Sequence, residues 1–108
     1  MLKVTNNIIY LTRGDTAVLN LQIKQDDGTD YAVKDGDSIL FTIKKTTKDK
    51  TVILQKAVRN GQIKINPEET SALDYGSYCY DVQLKKDDGT VSTVIPPAQF
   101  ILTEEVTF

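Results

Sequence analysis

Tyr78-Cys79-Tyr80-Asp81-Val82-Gln83-Leu84-Lys85 is the stretch on which the fold turns. Tyr78, Tyr80, Val82 and Leu84 fall on one side of an extended chain, and Cys79, Asp81 and Gln83 fall on the other. Period-two alternation of this kind belongs to a strand with one face in a core and one face in water, the usual state of antiparallel sheets. Two more stretches repeat it. Val18 to Gln25 sets Leu19, Leu21 and Ile23 against Asn20, Gln22 and Lys24, and Ser38 to Lys45 sets Ile39, Phe41 and Ile43 against Thr42 and Lys44. Shorter candidates are Ile8 to Thr12, Thr51 to Val58, Gln62 to Ile65, Val91 to Ile95 and Gln99 to Thr103, rich in the β-branched and aromatic residues that suit a pleated surface. About seven or eight strands separated by turns describe an all-β sandwich or a small barrel. The expected core is Leu19, Leu21, Ile23, Ile39, Phe41, Ile43, Ile63, Ile65, Tyr80, Val82, Leu84, Phe100 and Leu102, held between two antiparallel sheets.

The turns read as clearly as the strands. Asp26-Asp27-Gly28-Thr29 and Asp87-Asp88-Gly89-Thr90 each carry an Asp-Gly pair, which tolerates positive φ in a tight hairpin. The flanking residues echo each other as well, Gln22-Ile23-Lys24-Gln25 against Gln83-Leu84-Lys85-Lys86. Two hairpins meeting one geometric demand in the same way is a simpler account than a duplicated half-domain. Asn60-Gly61 is a third hairpin turn, between Thr51–Val58 and Gln62–Ile65. Only Asn66 to Leu73 reads as helix, a single short turn with Asn66 as N-cap, Pro67 at the first helical position and Glu69 three residues after the cap.

Composition narrows the function classes. The chain has 108 residues, enough for one domain spanning 1–108 and close to the roughly 100 residues of an immunoglobulin-type sandwich. Its net charge of −2, with both signs interspersed, provides no basic patch and argues against nucleic acid as a partner. Apolar runs are too short for a membrane span, and no apolar stretch follows Lys3 as a secretory signal would require. The lone Cys79 has no internal disulfide partner, as suits a reducing cytoplasm. With no histidine in the chain, the commonest general base and zinc ligand are missing.

Several groups invite a chemical reading and each has a plainer one. Arg13-Gly14-Asp15 spells an integrin-type tripeptide, but a glycine between two strands also simply makes a turn. Asp26, Asp27 and Asp30, then Asp35 and Asp37, then Asp87 and Asp88 could pool oxygens for calcium. They lack the spacing of a calcium loop, and Asp is itself a turn former. Glu68 with Glu69 and Glu104 with Glu105 are adjacent carboxylates, better placed as solvated charges than as an acid–base pair. Cys79 has no activating neighbour. Tyr10, Tyr31 and Tyr75 are the aromatics available to stack on a sugar. No catalytic, cofactor-binding or metal residue is assigned, no cofactor is expected, and a small-molecule ligand is disfavoured.

Leu73-Asp74-Tyr75-Gly76-Ser77-Tyr78 resembles the tyrosine corner of immunoglobulin-like domains, in which a Tyr hydroxyl bonds back to upstream backbone as strand F begins. Asp74, Gly76 and Tyr78 match the spacing, while Tyr80 replaces the antibody cysteine and tryptophan is absent. The implied fold is an immunoglobulin-like antiparallel β-sandwich without its disulfide. A wider run resembles small phage and prophage proteins of Gram-positive bacteria from the tail and baseplate region, and in outline the N-terminal sandwich domain of upper baseplate proteins. It comprises Leu11 to Ala17, Gly36-Asp37, Phe41 to Lys45, Gly76 to Leu84, Ile95 to Phe100 and Thr103 to Val106. That resemblance implies a non-catalytic virion structural protein with protein partners in the particle or a homo-oligomeric state. It would be located in the tail or baseplate, or in the bacterial cytoplasm during assembly. The alternative is a bacterial β-sandwich binding module for carbohydrate or calcium. The C-terminal Val106-Thr107-Phe108 is expected to pack on its own sheet or on another subunit.

Overall fold

Period-two segments become strands wherever a neighbour of matching length exists to pair with them. The computed structural model describes residues 1–25 and 27–106. Its elements are β1 (Leu2–Thr5), β2 (Ile8–Thr12), β3 (Ala17–Asn20), β4 (Ser38–Lys44), β5 (Leu54–Ala57), β6 (Gln62–Ile65), α1 (Pro67–Thr70), β7 (Gly76–Lys85) and β8 (Val91–Thr103). Six strands form one sheet in the order β1-β2-β8-β7-β4-β5, and β3 pairs with β6 in a second. Leu19, Ile63 and Ile65 of the small sheet share one core with Phe41, Val82 and Phe100 of the large one, the arrangement of an immunoglobulin-like sandwich. Burying each such side chain contributes about 1.5–3 kcal/mol, so these facing positions dominate stability.

The expectation of wholly antiparallel sheets is corrected at one pair. β2 runs parallel to the end of β8, with Ile9 opposite Phe100 and Leu11 opposite Leu102. Alternation places the same residues inward for either strand direction, so the pattern alone does not distinguish the two. The core is otherwise as expected, except that Leu21 and Ile23 are only partly buried and Ile9, Leu11, Ala17 and Tyr78 join it. The cause is the shortness of β6. Its four residues end the ladder at Asn20, after which Leu21 N–H donates to the Gly61 carbonyl and the chain leaves for its own hairpin.

Two further departures follow from backbone chemistry. The segments around Val91–Ile95 and Gln99–Thr103 form a single strand, because Pro96-Pro97 sits where β8 bulges. Tyr80 pairs with Ala98, Val82 with Ile95 and Gln83 with Thr93, so β8 carries extra residues that need no ladder bond. At the N-terminus, Asn6 and Asn7 have φ of 50° and 65°, the double left-handed turn that closes β1 onto β2. Asn60-Gly61 makes the same kind of turn, but β5 and β6 lie in different sheets, so the chain crosses between layers there.

The tyrosine corner is present. The Tyr78 side chain is buried and its hydroxyl donates to the Asp74 carbonyl at 2.7 Å. Tyr80, also buried, donates to the Asn7 carbonyl at 2.5 Å and ties β7 to the β1–β2 turn. Burial pushes both phenols above their ordinary pKa.

Candidate functional site

The polar groups gather at the two ends of β7. At its Gly76 end, Arg13 leaves β2 and forks onto Glu105, with Nη2 at 2.7 Å and Nε at 3.1 and 3.2 Å from the carboxylate oxygens. Its Nη1 donates to the Leu73 carbonyl at 3.0 Å, and the guanidinium lies 4.0 Å from the Tyr75 ring centre. Tyr75 in turn donates its hydroxyl to Glu105 at 2.6 Å. Bonds from Arg13 and then Tyr75 hold the Glu105 carboxyl below its usual range, while Glu105 raises the pKa of both partners. Next to it Gly14 N–H donates at 2.9 Å to the hydroxyl of Thr70, a fully buried residue of α1, and Asp15 pairs with the Met1 ammonium. All three residues of Arg13-Gly14-Asp15 are thus engaged with their own chain.

The short helix is fastened in the same way. Glu69 accepts the Asn66 N–H at 2.7 Å and the Lys56 ammonium at 2.9 Å, which is the carboxylate half of a capping box plus an ion pair to β5. Burial alone would raise the Glu69 pKa, but the bonds from Asn66 and Lys56 outweigh it and the net direction is down. Each adjacent carboxylate pair therefore has one member held by a cation, Glu69 by Lys56 and Glu105 by Arg13.

At the Lys85 end the acids serve their own loops. Asp27 accepts the backbone N–H of Thr29 at 2.9 Å and its hydroxyl at 2.6 Å, and Asp88 accepts the Thr90 N–H at 2.8 Å. Asp30 pairs with Lys24 at 2.5 Å. Asp37 accepts the Tyr31 hydroxyl at 2.6 Å and the Lys34 N–H at 3.0 Å. These bonds lower the pKa of Asp27, Asp88, Asp30 and Asp37, and the bond to Asp37 pushes Tyr31 up to about 12. Gly36, with φ of 90°, lets this loop close on the β7–β8 hairpin, since a Cβ there would come within 2.9 Å of the Asp87 Cβ. The sequence echo of the two hairpins is geometric. Gln25 and Lys86 each donate their N–H at 2.8 Å to the carbonyl of Thr29 and Thr90 respectively. Asp26, one of the acids considered for calcium, lies outside the described residues.

Among the described residues no three His, Cys, Asp or Glu side chains converge on a point that could hold a metal ion. The tyrosines do not form a platform either. Tyr75 sits at one end and Tyr31 at the other, while Tyr10 is on β2, and each has its own cation over the ring: Arg13, Lys86 and Lys3. Cys79 is half-buried and its thiol lies 3.4 Å from the Lys44 carbonyl, in a shallow hollow of about 270 Å³ on the outer face of the large sheet. Thr42, Lys44, Gln55 and Asp81 line the same hollow, with no histidine to serve as a base for the sulfur. No helix is long and apolar enough to cross a membrane among the described residues. Val106 is 94% exposed and so does not pack on its own sheet; Thr107 and Phe108 lie outside the described residues.

Sequence reasoning did not anticipate the knot of Arg13, Tyr75, Glu105 and Leu73. Arg13 stands 60 positions from Leu73 and 92 from Glu105, and nothing local marks them as partners. Compared with family models, curated proteins and solved structures, the chain matches none. The architecture defines a small β-sandwich module with a short helical turn, in which Arg13, Glu105, Lys56 and Glu69 bind distant segments together.

Proposed function

We propose that this chain is a non-catalytic structural protein of a phage or prophage, an assembly or adhesion module of the tail or baseplate region that works by protein association. The observation that carries the non-catalytic part is the commitment of its candidate reactive groups. Arg13, Glu69, Glu105, Asp37 and Tyr31 each bond within the chain, so none stands poised beside a free partner in a cleft. Among the described residues strand edges, by contrast, remain unpaired at β1, β5 and both sides of the β3–β6 pair. Such edges are where a β-module without a reactive cleft meets other chains.

The virion part rests on the ordered resemblance of Leu11 to Ala17, Gly36-Asp37, Phe41 to Lys45, Gly76 to Leu84, Ile95 to Phe100 and Thr103 to Val106 to small tail-region proteins. Several of those positions are architectural in this chain, among them Arg13, Gly36 and Tyr78. The reading is tested on particles from an induced lysogen whose genome encodes the chain, purified on a density gradient and digested for mass spectrometry. Peptides of this chain should co-sediment with tail proteins at a fixed stoichiometry. Their confinement to the unsedimented fraction would overturn the virion assignment.

A further inference from the structure

Among the described residues the two strands β3 and β6 face a sheet of six, too few to cover it. The shortfall shows at β1. Leu2 and Val4 stand opposite Leu11 and Ile9 and so point to the same side as those two buried residues. Yet Val4 is 50% exposed and Leu2 is only partly buried. Between them and β3 opens a hollow of about 310 Å³, lined also by Ile9, Leu19, Leu21 and Ile95, with no charged side chain on its walls. Its rim at β3 is backbone. Leu21 N–H donates to the Gly61 carbonyl at 2.7 Å, and from there the register runs without a bulge through Leu19–Ile63 to Ala17–Ile65. Leu21, Leu19 and Ala17 therefore bond toward β6, and the N–H and C=O of Val18 and Asn20 point the other way. These groups have no backbone partner among the described residues.

We propose that β3 accepts a strand from another protein, an extended segment with uncharged apolar residues at alternate positions that fill the hollow. Side chains alternate along a strand, so the guest residues that bond Val18 and Asn20 turn outward, as the exposed side chains of Val18 and Asn20 do. Those in between, opposite Leu19 and Leu21, turn inward onto Leu2, Val4 and Ile95. The two demands together select the occupant. A small apolar molecule fills the floor but leaves the β3 backbone groups to water. A polar strand bonds those groups but leaves the floor bare, and a helix has already bonded its own backbone. A charged inward residue would lie against uncharged walls with no partner. Nor does a second copy supply the segment, because its described strands already turn their apolar sides into its own core.

This inference rests on the association reading above and is tested on the full chain by titration calorimetry. The probe is an end-blocked peptide in which valine and threonine alternate, with a lysine at each end for solubility. Its control has the same residues with the valines in one block. The alternating peptide should bind with a dissociation constant of about 100 µM, and the control about tenfold more weakly. Val18→Pro removes an N–H that the β3–β6 ladder does not use, a change that edge strands tolerate. It should weaken the alternating peptide about fivefold, and the comparison of the two peptides stands without it. Equal binding of both peptides, no binding of the alternating one, or a Val18→Pro chain that binds as the wild type does would each overturn the proposal. Binding of toluene but not of the peptide would overturn it in favour of a small apolar ligand. A dimer of the free chain that Val18→Pro dissolves would overturn it in favour of a second copy. A chain that ignores the peptide yet co-sediments with phage particles would overturn the docking alone and leave the virion reading standing.

Discussion

At the Gly76 end of the sandwich Arg13 meets Glu105 across 92 positions of sequence, whereas at the Lys85 end Asp27 meets Thr29, and Asp88 meets Thr90, across two. Both ends are rich in charge and hydrogen bonds, yet they do different work. Long-range contacts at the first end join β2, α1, the segment before β7 and the segment after β8, so losing one loosens the whole sandwich. Local contacts at the second end shape a turn, and a turn that loosens need not take the sheets with it. Clusters of acidic residues in loops thus reflect turn-making here, while the residues that hold the domain closed are scattered through the sequence.

The largest effects are expected where a buried side chain at the first end loses its hydrogen bond. Thr70→Val keeps the shape but leaves the Gly14 N–H without its acceptor, and should cost about 1–3 kcal/mol in a urea unfolding titration. Tyr78→Phe should cost a similar amount, because the Asp74 carbonyl loses its donor. If either variant unfolds at the wild-type urea midpoint, the contrast between the ends disappears.

A smaller, pH-dependent effect follows at Glu105. Its carboxyl titrates below the ordinary 4.5 in the folded chain, so around that pH the unfolded chain binds the proton more readily. The stabilisation is present above about 4.5 and is lost as pH falls through the lowered folded value. Glu105→Gln should accordingly lower the melting temperature at pH 7, and the gap to wild type should close below pH 4.5. A gap that stays constant with pH would mean that the charge of Glu105 is not what holds Arg13.

The smallest effects belong to the Lys85 end. Asp37→Asn should leave the melting temperature at pH 7 nearly unchanged, yet move one tyrosine in an absorbance titration. Tyr31, pushed up to about 12 by Asp37, should return toward 10.0. In the same spirit, calorimetric titration with calcium should give no micromolar binding, since Asp27, Asp37 and Asp88 already accept bonds from their own loops. Tight binding that Asp27→Asn removes would revive the calcium-module reading.

The sequence was readable in proportion to how local each feature is. Alternation identified β4, β6 and β7 almost to the residue, and Asn66-Pro67 with Glu69 identified α1, because each is decided within a few positions. The tyrosine corner was also readable, since Tyr78 bonds the carbonyl only four residues before it. β1 escaped notice because Asn6-Asn7 lacks the glycine that usually marks such a turn. The parallel β2–β8 pair and the Arg13–Glu105 fork escaped because both depend on which distant segments become neighbours. The open edge of β3 belongs to the same class. Val18 to Gln25 reads as a strand, but only the sheet order reveals that β6 alone pairs with it among the described residues.

With both ends tied up by their own contacts, the association proposed above would fall to the side of the sandwich. Amide hydrogen exchange followed residue by residue, without and with the alternating peptide, tests this most directly. The N–H groups of Val18 and Asn20 should exchange quickly in the free chain and become protected with the peptide, while that of Leu19, already bonded to β6, should be slow in both. Exchange at Val18 and Asn20 that is equally fast with and without the peptide would contradict the account.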